Sequence, residues 1–288
     1  MNRIISAWLK GVRDILSRLL GFSVTKSSTI HSLVNSSKHY DQLSANINFL
    51  KYLNENKLRK ALDVIETNKS QIQQDLFVLL ALDFKKDGYF VEFGATNGVY
   101  MSNSWVFEKR FGWKGIVAEP GTHWHLDLLN NRQCQISTQC VWTESGKKIL
   151  FNEAVDAGFS TINEFTSRDH HSGLRTNGKQ YYVETITLND LLDSNNAPTE
   201  IDYLSIDTEG SEYDILDSFD FNKWKVSIIT VEHNYTENRE KIQALLESKG
   251  YIRVLTSISQ FDDWYVKPKL MRNLEDAFLT KLKEGGEG

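Results

Sequence analysis

The chain has 288 residues, 40% hydrophobic and 25% charged, with three prolines and two cysteines, a composition that excludes collagen-like, disulfide-scaffold and wholly disordered classes. A formal net charge of −5 leaves no global excess of Lys and Arg to replace counterions, so no nucleic-acid partner is expected. Apolar runs such as Phe77 to Leu82 are far shorter than the roughly 20 residues that a membrane-spanning helix needs.

Residues 1–22 place Ile4, Ile5, Trp8, Leu9, Val12, Ile15, Leu16, Leu19 and Leu20 at helical spacing, with Arg3, Lys10, Arg13, Asp14 and Arg18 on the other face. An amphipathic basic helix is predicted. It can dock on its own domain, dock on a second copy in a homo-oligomer, or lie in the plane of an anionic membrane surface. A secretory signal is not expected, because Lys10, Arg13 and Asp14 interrupt the apolar centre. Cys134 and Cys140 fall on one predicted strand, about 20 Å apart, and cannot pair there. A reducing, cytoplasmic setting follows, with peripheral membrane contact through residues 1–22 left open.

Residues 23–87 read as a polar linker followed by helices near 46–67 and 70–84. From Gly88 the texture changes. Strand-like runs at 89–93, 115–119, 134–142, 201–207, 226–232, 251–255 and 262–266 alternate with helical patterns near 103–111, 122–131, 212–218 and 236–248. Such alternation predicts an α/β domain over 88–268, built on right-handed crossovers and a mostly parallel sheet. A C-terminal helix and tail at 269–288 complete the chain. Residues 143–200 interrupt the pattern, and an insertion of that length beside the sheet's carboxyl edge is expected to be a lid or acceptor element.

The sharpest local motif is YFVEFGATNGVY at 89–100. A buried strand ends at Glu92, Phe93 and Gly94, and a turn through Ala95 and Gly98 leads to a helix, the place where open α/β sheets bind ligands. The spacing is not G-x-G-x-x-G, and a carboxylate facing the turn repels a diphosphate while favouring a cation. S-adenosylmethionine, carrying an ammonium and a sulfonium, fits that sign. Glu119 ends the next strand, followed by Pro120, and an acid there can accept hydrogen bonds from both ribose hydroxyls of an adenosine. Val141 and Trp142, ending the third strand, are candidates to flank adenine or to be ordinary core.

Asp207 and Glu232 end the next two strands, with His233 and Asn234 beside them. Two uses stay open. Asp207, Glu232 and His233 can hold Mg²⁺ or another divalent cation that acidifies an acceptor hydroxyl. Alternatively, Asp207 or His233 removes the proton directly. In a purely structural reading, Asp207 and Glu209 cap the following helix and Glu232 pairs with a surface cation.

The strings at 90–120, 158–162, 186–192, 201–216, 229–234 and 262–266 resemble, in order, the FkbM family of S-adenosylmethionine-dependent methyltransferases. The resemblance implies a class I methyltransferase fold, Rossmann-like, with seven strands of which the last is antiparallel, here preceded by an N-terminal helical extension. It implies O-methylation of a hydroxyl, on a sugar, a glycan or another hydroxyl-bearing small molecule. Carried over by position, Glu92, Gly94, Ala95 and Gly98 fall on the cofactor turn, Ser102 and Asn103 in the Ser-Asn pair, and Glu119 with Pro120 at the ribose. Asp207, Glu209 and Glu212 fall in the acidic fourth-strand motif, where Asp207 also borders the cofactor. A non-catalytic, membrane-associated module of the same fold is the alternative. Intact Glu92, Glu119 and glycines speak against it.

Overall fold

A computed structural model describes residues 43–166 and 172–279. The expected helix at 1–22, the linker as far as residue 42 and the tail beyond 279 lie outside the described residues. In chain order the strands are β1 Tyr89–Phe93, β2 Lys114–Ala118, β3 Gln135–Ser137, β4 Cys140–Trp142, β5 Lys148–Glu153, β6 Thr161–Ile162, β7 Lys179–Thr187, β8 Glu200–Ile206, β9 Lys225–Glu232, β10 Ile252–Val254 and β11 Asp262–Val266. Seven of them form one sheet in the order β10, β11, β9, β8, β1, β2, β3. The run from β9 to β3 is parallel, and β11 is antiparallel to both β9 and β10. This is the seven-stranded, doubly wound arrangement that the sequence predicts.

The central strands are nearly continuous apolar runs because helices cover both faces. Alternate residues therefore enter different cores. Phe90, Tyr203 and Ile228 share one core with Phe77, Phe107 and Trp264, while Val91, Leu204 and Ile229 join Ile215, Ile242 and Leu246 on the other side. Toward the carboxyl ends the first face turns polar. Glu92 is in register with Ser205, and Ser205 with Thr230; all three are buried. This row separates the apolar core from the site above it.

Residues ahead of β1 belong to the first core. The helix Gln74–Ala81 is buried on every side, which suits its run of Leu76 to Ala81, and Phe77 stacks on Trp264 with ring centroids 4.5 Å apart. The single helix predicted near 46–67 is interrupted. Asn54 caps a new helix, Glu55–Ile65, by accepting from the Lys57 amide at 3.0 Å. The break also lets Leu53 bridge to Phe278, and the Asn54 amide donates to the Ala277 carbonyl.

The strand expected over 134–142 is likewise two strands. The Gln139 amide donates to Ser137 Oγ, a local turn that competes with continued pairing. As a result β3 closes the main sheet, while β4 joins a four-stranded sheet with β7, β5 and β6. Cys134 and Cys140 thus flank a turn and not one strand, and both are free thiols. The second sheet takes β5, β6 and β7 from the insertion, with β5 antiparallel to β7 and β4 parallel to its far end. Among the described residues, no helix is long and apolar enough to cross a membrane.

Candidate active site

The turn after β1 crosses close to the chain leaving β8. Gly94 has φ +79°, and a Cβ there would overlap the Asp207 carbonyl. Gly98 has φ +76°, with Arg132 and Leu128 where its side chain would go. Both positions call for glycine on conformational and steric grounds. Asn97 Oδ1 accepts from the Val99 and Tyr100 amides and holds the rest of the turn.

The Glu92 carboxylate is not free to face a ligand's charge. It accepts from Ser102 Oγ at 2.8 Å, from the Asn103 amide at 2.6 Å and from Ser104 Oγ, and Arg132 Nη1 lies 3.5 Å away. Glu92 lines the cavity beside the turn, and its hydrogen bonds organise residues 102–104. Ser102 has a similar role, accepting from the Trp105 amide at the start of the helix Trp105–Phe111 and from Arg132. Asn103 differs. Its Nδ2 donates to Ser205 Oγ at 3.0 Å, whereas its buried Oδ1 has no hydrogen-bond partner among the described residues.

Glu119 is buried beyond the end of β2. Its Oε2 accepts from the Thr96 amide at 2.9 Å and its Oε1 from the Gly121 amide at 2.7 Å. Burial pushes its pKa up to about 7, against the two amides, which lower it. Each oxygen keeps a further lone pair.

At the ends of β8 and β9, Asp207, Glu209 and Glu232 each bring an oxygen to within 4.8 Å of the others. Burial pushes Asp207 up to about 7, and burial together with Asp207 lifts Glu232 well above the carboxylate range. Two buried carboxyls this close cannot both ionise easily, and one proton can serve both acids. Glu209 accepts from Arg175 Nη2 at 2.7 Å and from Asn234 Nδ2 at 3.4 Å. Glu212 ties the loop from beneath, its Oε1 accepting from the Thr208 and Gly210 amides. Behind the group, Asp262 stands opposite Glu232 in the antiparallel register and accepts from Gln74 Nε2 at 2.8 Å.

His233 does not join Asp207 and Glu232, and Glu209 occupies the third place in the acidic group. Successive residues at a strand's end point to opposite sides. The His233 Nδ1 accepts from the Tyr235 amide, its Nε2 lies 3.8 Å from Asp263 Oδ1, and burial lowers its pKa to about 4. Asp263 in turn takes a two-pronged contact from Arg239.

One cavity connects these features. Its wall includes Glu92, Gly94, Asn103, Glu119, Pro120, Val141, Ser205, Asp207 and Glu209. From the insertion come Phe151, Ala157, Gly158, Ser160 and Ile162. Ala95, Gly98, Ser102, Trp142, Glu232 and His233 are absent from the lining, so Glu232 stands behind Asp207; Trp142 packs edge-on against Phe165. Sequence reasoning missed Gln139, Ser160 and Arg175. No motif marks Arg175, which lies in a polar stretch without period.

A family model for the methyltransferase FkbM domain matches residues 92–265. The chain belongs to the FkbM methyltransferase family. No curated protein matches the sequence. Among solved structures, precorrin-6y C5,15-methyltransferase from Geobacter metallireducens GS-15 is similar at 11% identity over 67% of this chain and 85% of that one, with a TM-score of 0.35. Methyltransferase FkbM from Methylobacillus flagellatus KT is similar at 12% identity over 78% of this chain, with a TM-score of 0.40. The chain spans 58% of the length of that second protein.

The FkbM family implies S-adenosylmethionine as methyl donor, and the residues present fit it. Gly94, which the close Asp207 carbonyl keeps free of a side chain, lines the cavity. Glu119 offers carboxylate lone pairs suited to ribose hydroxyls, and the orphaned Asn103 Oδ1 is an acceptor suited to an ammonium. The carboxylates after β8 and β9 suit a sulfonium.

Proposed function

We propose that this FkbM-family chain transfers a methyl group from S-adenosylmethionine to a hydroxyl oxygen of a sugar or glycan. The observation that carries this reading is the buried acidic group at the ends of β8 and β9, where Asp207 and Glu232 bring oxygens within 4.8 Å of each other, with Asp207 in the wall of the cavity that holds Glu119. When bound, the donor supplies an electrophilic methyl carbon. A hydroxyl is a poor nucleophile until its proton leaves, so the chain must supply a base. Asp207 takes that proton as the oxygen–carbon bond forms and the carbon–sulfur bond breaks. Glu232 spreads the added proton over the pair. Glu119 and Asn103 fix the donor, so alignment of the reacting atoms supplies much of the rate. Ala157, Gly158, Ser160 and Ile162 of the insertion border the cavity on the acceptor side of this reading.

A divalent cation seated on Asp207, Glu209 and Glu232 is the competing device, and it would displace the shared proton. Chelation separates the two: transfer that persists in chelator supports the proton pair, and transfer that disappears and returns with Mg²⁺ supports the cation. The reading as a whole is tested by calorimetry with S-adenosylhomocysteine, followed by transfer of label from methyl-labelled donor into neutral glycan fractions. Binding by the wild type and a methyl ether in the labelled product are expected. No binding, or label confined to nitrogen or carbon, would overturn it.

A further inference from the structure

We propose that Arg175 is a positioning residue that fastens the insertion onto the acidic loop after β8, setting the cavity wall and supplying the counter-ion of Glu209; the proposal rests on the methyltransferase reading above. Arg175 ends the short helix Ser172–Arg175, and its side chain is 0% exposed. The guanidinium reaches two acceptors at once. Its Nε donates to the Phe159 carbonyl at 2.6 Å, and its Nη2 donates to Glu209 Oε2 at 2.7 Å. Phe159 belongs to the turn Ala157–Phe159, whose Ala157 and Gly158 line the cavity. Glu209 belongs to the acidic group and lines the same cavity. One side chain therefore ties a wall of the site to its charged floor.

The backbone around Arg175 is itself anchored. Its carbonyl accepts from the Asn152 amide group and from the Gly178 amide, which sets the helix against β5. Two further tethers run in parallel. Thr161 Oγ1 donates to the Glu209 carbonyl at 2.9 Å, and Phe165 lies 3.0 Å from where a Cβ on Gly210 would be. Glu209 is held at φ 59°, a left-handed conformation that a non-glycine residue keeps when its surroundings over-determine it. Of the three tethers, Arg175 alone carries charge. A planar, forked guanidinium can serve a carbonyl and a carboxylate in different directions, which a lysine ammonium on its single stem does less well. Burying it is costly unless its hydrogen bonds are met, and here both named acceptors sit within normal hydrogen-bond distance.

The test uses the full-length chain and S-adenosylhomocysteine as probe, read by calorimetry beside a thermal melt. Arg175→Ala is expected to weaken binding about tenfold, in line with loss of a charge-assisted contact. Millimolar guanidinium chloride, far below denaturing levels, is expected to recover most of that loss and to leave wild-type binding unchanged. Arg175→Lys, which keeps the charge but not the fork, is expected to fall between the two. Wild-type affinity in either variant would overturn the proposal. A loss in Arg175→Ala that guanidinium fails to recover would also overturn it, as would an Arg175→Lys variant indistinguishable from Ala. If Arg175→Ala does not fold, the lysine variant decides alone. Failure of the wild type to bind the probe is a different result: it removes the methyltransferase reading, and this proposal with it.

Discussion

The carbonyl oxygen of Asp207 occupies the space that a side chain on Gly94 would need. The ends of β1 and β8 thus approach within backbone contact, and the cofactor turn and the acidic loop are placed by the same crossing. Gly94→Ala puts a Cβ on a residue with φ +79° and pushes the loop away, at a cost of about 2–4 kcal/mol. A fall of several degrees in melting temperature, with loss of S-adenosylhomocysteine binding, is expected. Unchanged melting and affinity would show that the crossing is looser than described.

Glu92 and Arg132 make a buried pair, with side chains 4% and 0% exposed. Removing one partner leaves the other charge without its full complement. Arg132 keeps Glu108 at 2.7 Å, so Glu92→Ala is expected to cost about 3 kcal/mol, at the lower end for a broken buried pair. Chemical denaturation measures this directly. Donor binding should weaken too, because the Ser102 to Ser104 segment that presents Asn103 loses its anchor.

Glu119 sets the pH dependence of donor binding. The ribose hydroxyls bind best to the ionised carboxylate, and burial pushes its pKa to about 7. Affinity for S-adenosylhomocysteine should therefore be full above pH 7 and decline as the pH falls through that value. Glu119→Gln cannot titrate and places an amide NH₂ where one backbone N–H now donates. It is expected to bind about ten- to a hundredfold more weakly, with a shallower pH profile to which Asp207 still contributes. A flat wild-type profile would remove Glu119 from the ribose site.

Asp207→Asn and Glu232→Gln separate chemistry from binding. Asp207→Asn removes the proposed proton acceptor and Glu232→Gln the acid that shares its proton, both nearly preserving shape, so turnover should fall about a hundredfold or more with donor affinity within about threefold of wild type. Equal loss of binding and turnover would make these residues part of the cofactor site alone.

His233 faces Asp263 and Tyr235 rather than the acidic group. His233→Ala is expected to lower the melting temperature through the lost packing between β9 and β11, with a smaller effect on turnover than Asp207→Asn. Loss of turnover equal to that of Asp207→Asn, at unchanged stability, would return the imidazole to the reaction.

Much of this architecture is legible in the linear sequence. The apolar runs of β1, β8 and β9, the glycines at 94 and 98 and the acids at 119, 207 and 232 are local signals, each produced by a strand's period or by a turn that tolerates few residues. Reading the sequence alone went wrong where a short polar side chain decided whether an element continued. Asn54 started a new helix, and Ser137 with Gln139 turned the chain out of the main sheet. Nor could it show the partners of Glu92, since Ser104 and Arg132 lie 12 and 40 residues away in sequence.

By itself, then, the sequence determined the α/β class, the mostly parallel sheet and the glycine turn after β1, because those follow from hydrophobic period and backbone sterics within a few residues. Tertiary structure decided which charges meet. Inter-strand register set Glu232 opposite Asp262, the alternation of a strand carried His233 away from Asp207, and the folding of the insertion brought Arg175 to Glu209. Charge partnership depends on distance in space, and no periodicity along the chain encodes it.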